Sequence, residues 1–328
     1  MNERALSLLE QYDIEVLRTR KGRGTFICET KQGSLVFQEY KGNPEKLKIQ
    51  QMILERIKRL GLVQAEELIV NRENELFVKD SDEICYILKK YVEGSECDIH
   101  DNRECMEAMQ ILARLHHCME DVTVDGNPLP VYSPLKEYEK HNKELTRVWS
   151  YLKKKGQKQV FEKSLLSNME YFVSQAQQVT REWAVIENAG GDGKDARPSG
   201  FCHGDYQYHN IIRNQQGWHI MNFEKLQADD PIRDIYLFVR KVMEKCNWDR
   251  EKGRELLRTY EAIRSLSPYS KKDLYYRFAY PEKFWKIVNF YYNAPKAWIP
   301  EKNLEKLGLV IQQEEAKKQF LEEVLEMP

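Results

Sequence analysis

The stretch HGDYQYHN (residues 203–210) holds a carboxylate and an amide at a fixed spacing just before a predicted hairpin, and this arrangement indicates the class of fold. Asp205 precedes Asn210 by five residues, a spacing typical of a loop that catalyses phosphoryl transfer. We expect the carboxylate of Asp205 to accept or orient the proton of an attacking hydroxyl. We expect Asn210 to offer its amide oxygen to a magnesium ion on the nucleotide phosphates.

A second metal ligand is expected at the end of the hairpin, in MNFE (residues 221–224). Sites of this kind place an Asp there. Asn222 stands at that position, and its amide has an acceptor oxygen but lacks the charge that Mg²⁺ prefers. Glu224 lies two residues on, and strand alternation brings it to the same side only if the strand continues regularly. Glu224 either substitutes as a metal ligand or does not bind the metal, and both interpretations stay open.

Three further residues are predicted to support the loop. We expect His203 to brace it by hydrogen bonds, with Gly204 beside it. Asp234 lies in PIRDI (residues 231–235), at the start of a predicted helix. It either reaches back to the loop or stabilises the helix start by its charge, and both interpretations stay open.

The surrounding pattern predicts an α+β chain with two lobes. Short strands at 14–19, 25–29 and 35–40, separated by turn residues, indicate an antiparallel meander, and an amphipathic helix follows at 44–60. Three more strands are predicted between 68 and 91. Beyond residue 94 the pattern is helical, apart from the hairpin. We therefore predict an N-lobe at 1–93, with an antiparallel sheet and one long helix, and a helical C-lobe at 94–328 that carries the catalytic-loop hairpin.

The composition argues against two classes of partner. The 328 residues include 51 Lys plus Arg and 52 Asp plus Glu, so the basic excess of a nucleic-acid-binding protein is missing. No apolar run approaches the roughly 20 residues of a membrane helix. The N-terminus does not have the pattern of a signal peptide, so we expect cytoplasmic synthesis. The seven cysteines form no C-x-x-C pair and are expected to be reduced thiols.

These motifs, together with LARLH (112–116), resemble the aminoglycoside-phosphotransferase and choline-kinase superfamily. LFVRKVMEKCNW (237–248) and YPEKFWKIVNFYYNAPKAWIPEKNLEKL (280–307) are similar to CotS-type spore coat proteins. The resemblance spans nearly the whole chain. It implies a bilobal protein-kinase-like fold with a small β-rich N-lobe and a large helical C-lobe. It also implies ATP and Mg²⁺ as cofactors, spore coat proteins as partners, and synthesis in the mother cell followed by deposition on the spore coat.

Within this resemblance, Asp205 matches the catalytic Asp, Asn210 the first metal ligand, and Asn222 the position of the second. The resemblance also implies an ATP-pairing Lys on the third strand, where this chain has Gln38. A Gln side chain cannot neutralise phosphate charge. The acidic partner of that Lys belongs on the long helix, where Glu45 and Glu55 are the candidates.

The replacements at positions 38 and 222 predict a coat protein with a degenerate, pseudokinase-like site and a structural or assembly role. The intact Asp205 keeps open an active ATP-dependent phosphotransferase that uses it as the base, on a small-molecule or protein hydroxyl. A sensor that holds nucleotide without turnover is a third hypothesis. Whether the chain is an enzyme therefore stays open. The dense aromatic residues at 269–298 form either helix packing or an exposed face for coat assembly, and we favour packing for most of them.

Overall fold

A computed structural model describes residues 3–22, 24–120, 122, 133–188, 200–293 and 301–325. The chain divides into two compact units. The first comprises Met1–Val131, Ser199–Phe238 and Thr259–Arg264, and the second Tyr132–Pro198, Val239–Arg258 and Ser265–Pro328. These units contain other residue ranges than the two predicted lobes. The predicted lobe boundary at residue 93 stays a prediction.

All strands of the described residues lie in the first unit. They are β1 (Val16–Lys21), β2 (Thr25–Thr30), β3 (Gly33–Glu39), β4 (Gln64–Ala65), β5 (Leu68–Ile69), β6 (Val78–Lys79), β7 (Cys85–Lys90), β8 (Ser95–Glu96), β9 (Phe201–Cys202), β10 (Ile211–Asn214), β11 (Gly217–Ile220) and β12 (Gln227–Ala228). The helices are α1 (Pro44–Leu60), α2 (Asn102–Cys118), α3 (Pro134–Lys154), α4 (Val160–Asn188), α5 (Ile232–Lys245), α6 (Arg250–Glu261), α7 (Pro268–Ala279), α8 (Glu282–Asn293) and α9 (Glu301–Val324). No helix within the described ranges is both long enough and apolar enough to cross a membrane.

The main sheet has an apolar face and a face that carries polar side chains. Its strands run β1-β2-β3-β7-β5, all antiparallel, and β6 also pairs with β7. One face packs against the 3-10 helix Glu3–Gln11 through buried side chains that include Phe37 and Leu88. Because neighbouring residues of a strand point to opposite faces, Gln38 and Lys89 share the other face.

Helix α1 begins and ends where the sequence predicts. Pro44 occupies its first turn, and the Asn43 side chain accepts a hydrogen bond from the Glu45 backbone N–H. Gly61 ends the helix in the left-handed region at φ 65°, a conformation that glycine adopts without a steric penalty. The predicted boundaries at 44 and 60 are confirmed, because local capping residues set both ends.

A second sheet, ordered β4-β11-β10-β8, carries the predicted hairpin. Strands β10 and β11 are antiparallel, and β4 lies parallel to β11 with Ala65 opposite Ile220. The residue after β4 is Glu66, whose N–H donates to the carbonyl oxygen of Ile220. The parallel pairing therefore places Glu66 beside the residues that follow β11.

Helix packing dominates the second unit. Helix α3 packs against α4 and α8, and α9 packs against α7 and α8. Five of the aromatic residues at 269–298 that the prediction covers are buried: Tyr269, Tyr276, Phe278, Tyr280 and Phe284. Phe290 is 55% exposed, and Trp298 lies outside the described residues. The packing interpretation is confirmed for most of this segment.

Candidate functional site

The catalytic-type loop is held by a buried carboxylate. Asp234, in the first turn of α5, accepts hydrogen bonds from the backbone N–H groups of His203 at 2.7 Å and Gly204 at 2.8 Å. Burial raises the pKa of Asp234, but the hydrogen bond with His116 and the loop N–H groups outweigh burial and lower it. Asp234 therefore reaches the loop as an anion, which is one of its two predicted roles.

Gly204 allows the loop to turn close to the hairpin end. Its φ is 78°, and a Cβ at this position would collide with the carbonyl oxygen of Lys225. Side chains brace the same turn, since His203 Nε2 donates to the carbonyl oxygen of Met221 at 2.9 Å. The Asp205 N–H donates to His203 Nδ1 at 3.2 Å. These contacts fix the ring orientation and the tautomer of His203.

Both carboxylate oxygens of Asp205 have donors from this chain. Lys225 Nζ lies 2.9 Å from Oδ2, and Gln207 Nε2 donates to Oδ1 at 2.5 Å. The Lys225 side chain is 63% exposed and that of Asp205 is 15% exposed. Burial raises the pKa of Asp205, but the contacts with Lys225 and Gln207 outweigh it and lower the pKa. Asp205 is therefore a charged carboxylate at neutral pH.

The two predicted metal ligands are hydrogen-bonded to each other. Asn222 Nδ2 donates to Asn210 Oδ1 at 2.8 Å, and Asn210 Nδ2 donates to the carbonyl oxygen of Asp205 at 2.8 Å. Asn222 adopts the left-handed conformation, with φ 67°, which Asn tolerates better than most residues. Its Oδ1 accepts a hydrogen bond from Lys89 Nζ at 2.7 Å. Both amide oxygens are thus engaged by donors of the chain itself.

Lys89 lies at the centre of the site, although none of the sequence motifs predicts it. Its side chain is 3% exposed. Its ammonium group donates to Glu66 at 2.9 Å, Asn222 at 2.7 Å and Glu224 at 2.8 Å. An ammonium group has three N–H bonds, so these acceptors use all of its donors. Burial lowers the pKa of Lys89, but Glu66 and Glu224 outweigh burial and raise it.

Glu66 connects Lys89 to the backbone of the second metal-ligand segment. Its Oε2 accepts the Asn222 N–H at 2.8 Å, and its Oε1 accepts the Phe223 N–H at 2.9 Å. Gln50 Nε2 also donates to Oε1, at 3.0 Å. Burial raises the pKa of Glu66, but Lys89 and the two backbone N–H groups lower it overall. Glu66 is therefore a buried, fully compensated anion.

The acidic residues expected on α1 lie elsewhere. Glu45 pairs with Lys48 at the surface, and Glu55 accepts a hydrogen bond from Gln51. Glu66 was missed because the two-residue strand β4 has no sequence pattern that would place its neighbour in a site.

Glu224 joins the site through a turn rather than through a continued strand. Strand β11 ends at Ile220, and residues 223–225 form a 3-10 turn. Gln38 Nε2 donates to Glu224 Oε1 at 2.6 Å, and Lys46 Nζ donates to its carbonyl oxygen at 2.8 Å. The structure thus brings Gln38 and Glu224 together, with the ammonium of Lys89 on the same carboxylate oxygen.

The donor set does not fit Mg²⁺. Asn210 and Asn222 supply neutral amide oxygens, whereas Mg²⁺ is held mainly by anionic oxygen ligands. The nearby Glu224 carboxylate already binds the ammonium of Lys89. In the part of the chain that the structure describes, no cluster of three or more His, Cys, Asp or Glu residues could hold a metal ion.

The fold is that of the aminoglycoside phosphotransferases, with a strand-rich N-terminal region and a helical C-terminal region. The aminoglycoside phosphotransferase of Alicyclobacillus acidocaldarius subsp. acidocaldarius DSM 446 superposes with a TM-score of 0.82 at 17% identity, over 97% of this chain and 94% of that one. Spectinomycin phosphotransferase APH(9)-Ia, in complex with ADP and spectinomycin, gives 0.66 at 13% identity, over 97% and 99% of the chains. The predicted α+β fold is confirmed.

Residues 5–324 match the family described as "Spore coat putative kinase YutH", and the chain belongs to this family. Spore coat protein S of Bacillus subtilis (strain 168) is 24% identical over 318 residues, which cover 94% of this chain and 88% of that protein. The predicted spore coat resemblance is therefore confirmed. It rested on residues 237–248 and 280–307, whose described parts lie mainly in helices α5, α8 and α9.

Proposed function

We propose that this chain is a spore coat-associated protein that uses the phosphotransferase fold as a scaffold, with a structural or assembly role, and that its site is degenerate. The observation that carries the proposal is the hydrogen bond between Asn222 and Asn210, the two residues expected to hold the metal. Membership of a spore coat family supports the location and the role.

The electrostatics support a site without phosphoryl transfer. Catalysis of this reaction depends on cations and metal ligands placed around the phosphates. Here Gln38 replaces the expected lysine, and Asn222 replaces the expected carboxylate. Preorganised charges of this kind contribute about 3 to 4 kcal/mol each to transition-state stabilisation. Losing two of them would raise the barrier to conventional transfer by several kcal/mol.

Nucleotide affinity is also expected to be low. The fold relative APH(9)-Ia carries ADP in its complex. In this chain, Lys89 has no N–H left for a phosphate, because its three donors are already used. Asp205 and Lys225 neutralise each other at the loop. A phosphate group would have to break these contacts before it could bind.

Calorimetric titration with ADP and ATP, with and without Mg²⁺, tests the proposal. APH(9)-Ia titrated with ADP serves as the positive control for the fold. We expect no saturable heat from this chain in any of the titrations. Mg²⁺-dependent saturation at micromolar nucleotide would overturn the proposed degeneracy.

A second candidate is an active phosphotransferase that uses Asp205 as the base, on a small-molecule or protein hydroxyl. The charged state of the Asp205 carboxylate at neutral pH and its spacing to Asn210 favour it. Release of labelled phosphate from ATP by the parent chain and by Asp205→Ala separates the two candidates. Equal background rates remove the second candidate, and a rate that depends on Asp205 supports it.

The proposed location has its own test. We propose synthesis in the mother cell, deposition on the spore coat and contact with other coat proteins. Immunoblots of coat extracts from purified spores, beside extracts of the vegetative cytoplasm, are expected to detect the chain in the coat fraction. Its absence from the coat would exclude the structural role, whatever the state of the site.

A further inference from the structure

We infer that Lys89 is the resident cation of this site and the residue that excludes a metal ion from it. The inference rests on the proposed function and deepens it, because it assigns metal exclusion to one side chain. The substitution at position 222 would by itself only weaken metal binding. Lys89 adds an ammonium group bonded to Asn222 and Glu224, the oxygen ligands next to the expected metal position.

The distances support this assignment. The Lys89 ammonium lies 2.7 Å from Asn222 Oδ1 and 2.8 Å from Glu224 Oε1. Mg²⁺ binds oxygen at about 2.1 Å. A magnesium ion on either oxygen would therefore lie within a few ångströms of the ammonium. Like charges at that separation repel strongly in a site of low dielectric.

The strand register makes the position specific to Lys89. Val36 lies opposite Lys89 in the pairing of β3 and β7, so Lys89 points to the face that carries Gln38. Lys90 points to the opposite face, and its side chain is 52% exposed in an ion pair with Glu67. Two adjacent lysines thus provide a matched test residue and control.

The charges predict what happens when the missing carboxylate is restored. Glu66 and Glu224 already surround Lys89 with two negative charges. In Asn222→Asp, the new carboxylate would lie where the Asn222 oxygen now accepts from Lys89. We expect that carboxylate to pair with Lys89 rather than with a metal ion. Metal binding then requires both the restored carboxylate and the removal of the ammonium.

Four full-length chains test this inference: the parent, Asn222→Asp, Asn222→Asp with Lys89→Gln, and Asn222→Asp with Lys90→Gln. The probes are Mg²⁺, through its effect on Tm, and Mn²⁺, through loss of the free-ion electron paramagnetic resonance signal. No nucleotide is present. We expect Mg²⁺ to raise the Tm only of the Lys89→Gln double variant, by about 5 °C when Mg²⁺ exceeds Kd about 100-fold. Only this variant should take up Mn²⁺.

Metal uptake by Asn222→Asp alone, or by the Lys90→Gln double variant, overturns the inference. A folded Lys89→Gln double variant that takes up no metal also overturns it. If that double variant fails to fold, Asn222→Asp decides the question, since metal binding refutes the inference and its absence supports it. A parent chain that binds Mg²⁺–nucleotide would end the proposed function instead, so the two failures are distinguishable.

Discussion

Two buried lysines, one in each compact unit, have opposite environments. Lys89, in the strand-rich unit, contacts the carboxylates of Glu66 and Glu224. Lys317, on α9 in the helical unit, is 8% exposed, and its Nζ lies 3.5 Å from the carbonyl oxygen of Ala279. Among the described residues no carboxylate forms an ion pair with Lys317. Burial lowers the pKa of Lys317, whereas the carboxylates raise that of Lys89 despite its burial.

The difference is that Lys89 is in ion-pair contact with two carboxylates, whereas the hydrogen bond of Lys317 goes to a backbone carbonyl oxygen. Three separate elements direct donors at one residue, Glu224, and Glu66 receives the backbone N–H groups beside it. These hydrogen bonds connect three elements of the first unit at a site that lacks its expected metal ligand. We interpret them as a network that stabilises the fold. Lys317 instead extends along packed helices, where its alkyl chain fills space and its charge is poorly solvated.

The largest expected effect is that of Lys89→Met. Removing one partner of a buried ion pair leaves uncompensated charge and costs about 3 to 5 kcal/mol. We expect this loss in the free energy of unfolding, measured by urea denaturation at neutral pH. Lys90→Met is the matched control, because its side chain is 52% exposed, and it should change stability by less than about 1 kcal/mol. Equal losses from the two variants would show that the cluster is not stabilising.

Asp234→Asn is expected to have the next largest effect. It should cost about 2 kcal/mol at neutral pH, because the amide satisfies the buried loop N–H groups less well. The folded-state pKa of Asp234 is lowered, so its contribution is present above its ordinary pKa of about 3.9 and is lost as the pH falls through the folded value. Denaturation at pH 7 and pH 3 should therefore give a smaller difference between variant and parent at pH 3. If the stability difference between variant and parent is the same at both pH values, the loop is not held by the charged form of Asp234.

Lys317→Met tests the other side of the comparison. Replacing this buried charge by an apolar side chain of similar size should raise the free energy of unfolding by about 1 kcal/mol at pH 7. The folded-state pKa of Lys317 is lowered, so the parent itself gains stability as the pH rises towards the ordinary pKa of lysine. The advantage of the variant should therefore shrink at pH 10. A loss of stability at pH 7 would mean that the charge has a partner with a structural role.

The smallest effect is expected from Lys225→Ala. Its ion pair with Asp205 lies near the surface, where the Lys225 side chain is 63% exposed. Exposed pairs contribute about 0.2 to 1 kcal/mol, so the change in urea denaturation should lie within that range. A loss of unfolding free energy comparable to that of Lys89→Met would mean that Lys225 belongs to the same stabilising network. The contrast between the buried Lys89 and the exposed Lys225 would then be lost.

Local signals allowed much of the fold to be predicted. Pro44 and Gly61 bound α1 through conformational preferences that depend on one residue each. Strands β1 to β3 lie within two residues of the predicted limits, because turn residues separate them. Four strands of two residues each, β4, β8, β9 and β12, were not predicted, since strands this short show no periodicity in the sequence.

The candidate site could be predicted only where its residues are close in sequence. The loop residues Asp205 and Asn210 were found by spacing, and Asp234 was found as one of two alternatives. Lys89 has a weak signal, since it follows the apolar residues Ile87 and Leu88 within one strand. The pattern cannot tell which of two adjacent lysines points inward. That choice depends on which face of the sheet the N-terminal helix covers.

The fold class, the spore coat family and the loss of the expected carboxylate at Asn222 could be read from the amino-acid sequence, because they depend on local order and residue type. That a lysine from β7 and a glutamate after β4 complete the cluster is visible only in the folded chain. Strand pairing brings these residues together across long stretches of chain, and their mutual attraction depends on distances of under 3 Å. Sequence spacing carries no information about such distances. The charged residues of the site could therefore be identified completely only from the folded structure.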